Sequence, residues 1–169
     1  MLLFFKKKLK CIKNDLNSIK KEMNLMLKSI SPLLTGDLLK ILCDMGHGDK
    51  IAIVDANFPA LSNGKKVLQL PGVNADDLLK AFAPIFPLDH VPDTPALLMD
   101  MDPKDKAAGM AEPELWKIFG DIVEESYDKK TGKVARNDFY KWAQDCYAVI
   151  QTGESRLYGN IILIKGVVK

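Results

Sequence analysis

The run Ile51-Ala52-Ile53-Val54 constrains this chain more than any other segment. A strand with one wet face alternates apolar and polar residues, whereas an uninterrupted apolar run rich in β-branched residues describes a strand covered on both faces. Such a strand needs helices on either side of its sheet. The run is bracketed by Met45-Gly46-His47-Gly48-Asp49-Lys50 before it and Asp55-Ala56-Asn57-Phe58-Pro59-Ala60 after it, and a strand is expected over residues 50–56. A histidine, which changes charge near neutral pH, stands at one end, and a carboxylate at the other, where open α/β sheets bind ligands. Asp55 could equally organise the Asn57-Phe58-Pro59 turn, and a histidine between glycines is ordinary loop chemistry, so the residues alone leave both readings open.

The rest of the chain supplies the helices. Thr35 reads as the N-cap of a helix with Leu38, Leu39, Ile41, Leu42 and Met45 on its apolar stripe, stopped by Gly46. Residues 66–70 read as a second strand after the Asn63-Gly64 turn, Asn74 as the cap of a helix to Pro84, and residues 96–99 as a third strand. Pro113 suits the first turn of a helix carrying Leu115, Trp116, Phe119, Ile122 and Val123. A turn is expected over residues 129–132, a short strand over 133–136 and a helix capped by Asn137. Residues 147–151 read as β-prone, and Ile161-Ile162-Leu163-Ile164 as a closing strand. The expected fold is a single α/β domain, its mostly parallel or mixed sheet covered by helices.

Composition narrows the function by exclusion. An apolar fraction of 47% with 27% charged residues is that of an ordinary globular domain. Cys11, Cys43 and Cys146 are odd in number and far apart, which argues against a disulfide framework and a zinc site and points to a reducing cytoplasm. Phosphate-loop, dinucleotide, zinc-protease, serine-hydrolase and calcium-loop spacings are missing, so no cofactor and no metal are expected. Of the two histidines, His90 sits in a proline-rich loop, leaving His47 as the acid/base candidate at neutral pH.

The net charge of +2 is unevenly spread. Residues 1–25 hold seven lysines against Asp15 and Glu22, a charge of +5, so the remainder is −3. That acidic body gives nucleic acid no footprint. The basic segment supports two expectations. Leu2, Phe5, Leu9, Ile12, Leu16, Ile19, Met23 and Met26 follow the spacing of an amphipathic helix suited to membrane contact or helix pairing. Alternatively, Lys21-Glu22 can be encoded as a ribosome-binding sequence before Met26, which makes residues 1–25 an over-extended start and 26–169 the working domain.

Several motifs, in order, resemble one family. Met45-Gly46-His47-Gly48-Asp49, Asp55-Ala56-Asn57-Phe58-Pro59-Ala60, Thr152-Gly153-Glu154 and Tyr158-Gly159-Asn160, with the opening Ile30-Ser31-Pro32-Leu33-Leu34 and the Phe139-Tyr140 pair, are similar to the L-fucose mutarotase and D-ribose pyranase family over residues 26–168. The resemblance implies interconversion of the α and β anomers of a monosaccharide without metal or cofactor. It also implies ring-like homo-oligomers, commonly decamers, with sites near subunit contacts. His47 would be the proton donor, Asp55 and Arg136 would bind sugar hydroxyls, Tyr158 and Asn160 would add contacts, and Gly159 would allow close backbone approach. Arg136 points to the L-fucose branch, because ribose-type relatives tend to carry histidine there. A D-ribose pyranase and a non-catalytic fucose-binding regulatory module are the alternatives.

The spacing of His47 and Asp55 adds a geometric condition. Roughly eight residues at ~3.3 Å each put them more than ~20 Å apart along a straight strand. Either His47 folds back, or the site joins His47 of one subunit to Asp55 of another.

Overall fold

The computed structural model describes residues 27–168. The basic segment of residues 1–25 lies outside them. The α/β body begins at Leu33.

The body begins with α1 (Gly36–Asp44), started as expected by Thr35, whose hydroxyl accepts the Leu38 amide at 3.3 Å. The helix ends at Asp44, with the glycine expected to stop it standing just beyond the cap residue. Met45 is the cap residue, its amide bonded to the Ile41 carbonyl, while the Gly46 amide goes instead to the Asp49 carboxylate at 2.7 Å. Then follow β1 (Lys50–Val54), a short α2 (Ala60–Asn63), β2 (Val67–Leu70), α3 (Ala75–Phe82) and β3 (Ala96–Met99). A second short helix, α4 (Pro103–Ala107), precedes α5 (Glu114–Tyr127), β4 (Thr131–Val134), α6 (Arg136–Asp145), β5 (Ala148–Thr152) and β6 (Ile161–Ile164).

Three boundaries and one cap differ from expectation. The first strand stops at Val54, because the Ala56 and Phe58 amides leave the ladder for the carbonyls of Glu154 and Asp55. Asn74 stands at the cap of α3, but its side chain makes no capping hydrogen bond. The turn expected over 129–132 is tighter: Asp128 takes a left-handed conformation, φ 53°, so Thr131 and Gly132 already pair with Ala96 and Leu97. The last long helix opens at Arg136 rather than after Asn137, with Ala135 in the cap position.

The strands form one six-stranded sheet in the order β2-β5-β1-β6-β3-β4. β1 pairs in parallel with β5, and β2 with β5, while β6 runs antiparallel to both β1 and β3, and β3 pairs in parallel with β4. The mixed sheet therefore contains a single reversed strand. Ile51, Ala52, Ile53 and Val54 are wholly buried at its centre, as their sequence requires. Burying each Ile or Val contributes on the order of 1.5–3 kcal/mol before chain entropy is offset, so this strand anchors the sheet. Leu78, Leu79 and Phe82 of α3 and Phe119 and Val123 of α5 are also fully buried.

The reversal of β6 has a consequence for function. Its amino-terminal end, at Asn160 and Ile161, lies on the same edge of the sheet as the carboxyl ends of β1 and β3. Three strand ends thus converge where α/β sheets place their ligands.

Candidate active site

Asp55 directly follows β1 and is 5% exposed, and Asn160, directly before β6, is 3% exposed. The two residues hold each other reciprocally. Asn160 Nδ2 donates to Asp55 Oδ2 at 2.6 Å, and the Asp55 amide donates to Asn160 Oδ1 at 3.0 Å. The Asn57 amide donates to Asp55 Oδ1 at 3.0 Å, closing the turn that Asp55 was expected to organise. Burial pushes the Asp55 carboxyl above its ordinary proton affinity, against the pull of the Asn160 amide and nearby backbone N–H groups. A buried carboxylate held in one orientation, with raised affinity for a proton, is suited to accept from a hydroxyl or take its proton.

The loop before Asn160 is built by close approach. Thr152 Oγ1 donates to the Val54 carbonyl at 2.8 Å, and the Ala56 amide donates to the Glu154 carbonyl at 2.9 Å, tying the ends of β5 and β1 together. At Gly153 a Cβ would fall 2.0 Å from the Pro71 carbonyl oxygen. Buried Glu154 is held by Arg156 through Nε at 2.8 Å and Nη2 at 2.7 Å, and Arg156 also reaches Asp76 at 2.8 Å. The chain then turns through Tyr158 at φ 60°, a left-handed conformation held by the surrounding contacts. Trp116 Nε1 donates to the Tyr158 carbonyl at 3.1 Å and packs its ring edge-on against the phenol at 6.3 Å.

A cavity of about 420 Å³ opens over these groups. That lies within the ~300–1,000 Å³ usual for small-molecule sites. Asp55, Asn160, Tyr158 and Arg136 all line it. Arg136, on the first turn of α6, donates through Nη1 to Asp102 at 3.2 Å and lies over the Tyr140 ring, 5.6 Å from its centroid. Tyr140 stacks on Phe58 at 5.3 Å, giving one wall an aromatic face. Aromatic faces cover the C–H surface of a polyol while the polar groups take its hydroxyls.

The expected residues are only partly brought together. Gly159 is buried, but it does not line the cavity. A Cβ there would lie 2.8 Å from Glu154 Cγ and 3.0 Å from Leu115 Cδ2, so the close approach that needs glycine is internal packing. His47 does not fold back. It precedes β1 at the opposite edge of the sheet, where the Gly48 amide meets the Lys165 carbonyl at 2.8 Å. There His47 Nε2 lies 3.5 Å from Oδ2 of buried Asp89, whose carboxyl is held below its ordinary value by the Val91 amide and by His47. The exposed imidazole and the cavity therefore belong to different ends of one chain.

Phe58, Met99, Asp102, Lys104, Asp105 and Tyr140 also line the cavity, and sequence reasoning gave them no role. For Tyr140 a signal existed: it follows Arg136 by four residues in a helix and so shares its face. For Asp102 and Asp105 there was none beyond their three-residue spacing.

Comparison with known proteins places the chain by sequence and by fold. Residues 28–168 match the RbsD / FucU transport protein family. The chain is 42% identical to fucose mutarotase of Mus musculus over 144 residues, covering 83% of this chain and 94% of that protein. It is 40% identical to L-fucose mutarotase of Haemophilus influenzae (strain 86-028NP) over 144 residues, covering 84% and 97%. A fucose mutarotase from Streptococcus pneumoniae, solved in complex with L-fucose, superposes with a TM-score of 0.78 at 37% identity, covering 85% of this chain and 100% of the other. Bacillus subtilis RbsD, solved with D-ribose, superposes less closely, with a TM-score of 0.64 at 28% identity and the same coverage. On the match along most of its length, the chain belongs to the RbsD / FucU transport protein family.

Proposed function

We propose that the protein is an L-fucose mutarotase, an isomerase of carbohydrate metabolism that interconverts the α and β anomers of the sugar by opening and reclosing its ring. The observation that carries this reading is the meeting of Asp55, Arg136, Tyr158 and Asn160 around one cavity from positions far apart in sequence. Opening a pyranose removes the proton from the anomeric hydroxyl and delivers one to the ring oxygen. Rotation about C1–C2 and reclosure on the other face of the aldehyde then give the second anomer. Asp55 is placed to accept from or deprotonate a sugar hydroxyl, and Arg136 and Asn160 offer N–H donors. Positioned acid/base groups supply roughly 10²–10⁴-fold, which suffices for a reaction that already proceeds in water.

The proton donor in this reading is His47. Because it lies at the far edge of its own chain, the site is complete only when His47 comes from a second copy. We therefore read the working form as a homo-oligomer, a ring such as a decamer, in which this edge of one subunit meets the cavity of the next. Exposed Cys43 and buried Cys146 as free thiols support a cytoplasmic setting. The domain of residues 26–169 carries the activity, and residues 1–25 are a basic extension.

Saturation-transfer NMR on equilibrated L-fucose tests the reading. Enzyme-enhanced exchange between the anomeric protons is expected, abolished by Asp55→Asn. Saturable binding without exchange would make the protein a fucose-binding module, and exchange of D-ribose in preference to L-fucose would make it a pyranase.

A further inference from the structure

The segment from Met101 to Met110, which contains α4, supplies one wall of the cavity, and its two aspartates are engaged with the groups that would meet the sugar. Asp102 caps α4, accepting the Lys104 amide on Oδ1 at 2.9 Å, and takes Arg136 Nη1 on Oδ2. The Tyr158 hydroxyl donates to Asp105 Oδ2 in a short hydrogen bond, and accepts the Asp102 amide at 3.0 Å. Lys106 pairs with Asp100 at 2.5 Å and fixes the helix to the end of β3.

A phenol has one proton and two lone pairs. In Tyr158 the proton goes to Asp105 and one lone pair to the Asp102 amide, which leaves one lone pair for the cavity. We propose that Asp105 is a positioning residue that sets the polarity of Tyr158, making it an acceptor that selects a ligand hydroxyl able to donate. This rests on the sugar-site reading above. Removing the carboxylate frees the phenolic proton to turn towards the cavity, so the pocket loses a fixed acceptor. A charge-assisted hydrogen bond carries enough energy for a loss of roughly tenfold in kcat/KM when it is removed.

The test is a double-mutant cycle on L-fucose exchange using the full chain. Asp105→Ala is expected to lower kcat/KM about tenfold beside Tyr158 and to have no further effect in Tyr158→Phe, where no phenolic proton remains to be held. An equal loss in both backgrounds, or none in either, would overturn the proposal. Should Asp105→Ala fail to fold, Asp105→Asn in the same two backgrounds carries the test, with a several-fold loss expected only beside the tyrosine. Ultraviolet titration of the phenols reads the same contact without sugar. The charged and titratable groups sharing the pocket with Tyr158 are Asp102, Lys104, Asp105, Arg136, Tyr140 and Asp55. The titration component absent from Tyr158→Phe is expected at lower pH once Asp105 is replaced by alanine or asparagine. An unmoved component would refute the contact, while absent exchange in the wild type would refute the sugar reading alone.

Discussion

Replacing Asn160 by alanine removes both halves of its pairing with Asp55. The 2.6 Å bond to the carboxylate is of the charged type, which contributes roughly 1.5–3 kcal/mol, and the Asp55 amide left without an acceptor costs a further ~1–3 kcal/mol. Water entering the open cavity recovers part of this, so the net loss is about 3 kcal/mol. At ~3 °C per kcal/mol for a body of this size, the thermal midpoint should fall by about 9 °C at neutral pH. The loss should also depend on pH in a set direction. Asp55 titrates above the ordinary aspartate value of 3.8 because it is buried, so in the folded wild type its contribution is fully present below 3.8 and is lost as pH rises through the higher folded value. Without Asn160 the carboxyl loses its largest opposing hydrogen bond and its proton affinity rises further. The gap between wild type and variant should therefore begin to narrow as pH falls through the variant's folded value and stop narrowing below the lower wild-type value, where both carry a protonated Asp55. Calorimetric or dichroism melts from neutral pH toward pH 4 measure this. A fall of under about 3 °C, or a gap that does not change with pH, would refute the account of the pair.

Arg156→Ala leaves Glu154, 2% exposed, without its cation. Because Arg156 is itself 41% exposed, a cost of about 2 kcal/mol is expected rather than the full penalty of a buried pair. Arg156 holds the Glu154 carboxyl below the ordinary glutamate value of 4.5, so its contribution is present above 4.5 and lost as pH falls through the lower folded value; acid titration of the variant should show unfolding at higher pH than wild type. Gly159→Ala forces a Cβ against Glu154 Cγ at 2.8 Å, and about 1–3 kcal/mol of destabilisation should accompany weaker sugar binding by calorimetry. Arg136→Lys should leave the melt within about 0.5 kcal/mol, since this is an exposed side chain, yet lower kcat/KM on L-fucose roughly tenfold, because lysine lacks the planar fork.

The sheet was legible where a run of side chains had one solution. Ile51 to Val54, Ala96 to Met99 and Ile161 to Ile164 lack polar positions, and each is a strand at the expected place, buried along its length except at Ile164. The start of α6 was less legible because Asn137 is a good cap by type, while the chain enters the helix through Ala135 without any side-chain cap. α4 carries no apolar stripe: Pro103-Lys104-Asp105-Lys106-Ala107 buries nothing, so periodicity had no signal to find. Within the site, Asp55, Tyr158 and Asn160 were marked by their motifs, whereas the contact of Asp105 with Tyr158 spans 53 residues and exists only in three dimensions. Strand geometry left open whether His47 would fold back towards Asp55 or stand apart from it, and β1 separates the two.

The measurement that bears most directly on the account is L-fucose anomer exchange in a mixed assembly. His47→Ala and Asp55→Asn chains, each inactive alone, are unfolded, combined and refolded together. If the site joins the cavity of one copy to His47 of the next, random mixing restores both groups in roughly a quarter of the sites, and exchange should return to about that fraction of the wild-type rate. A mixture as inactive as its components, beside an active wild type refolded in the same way, would contradict it.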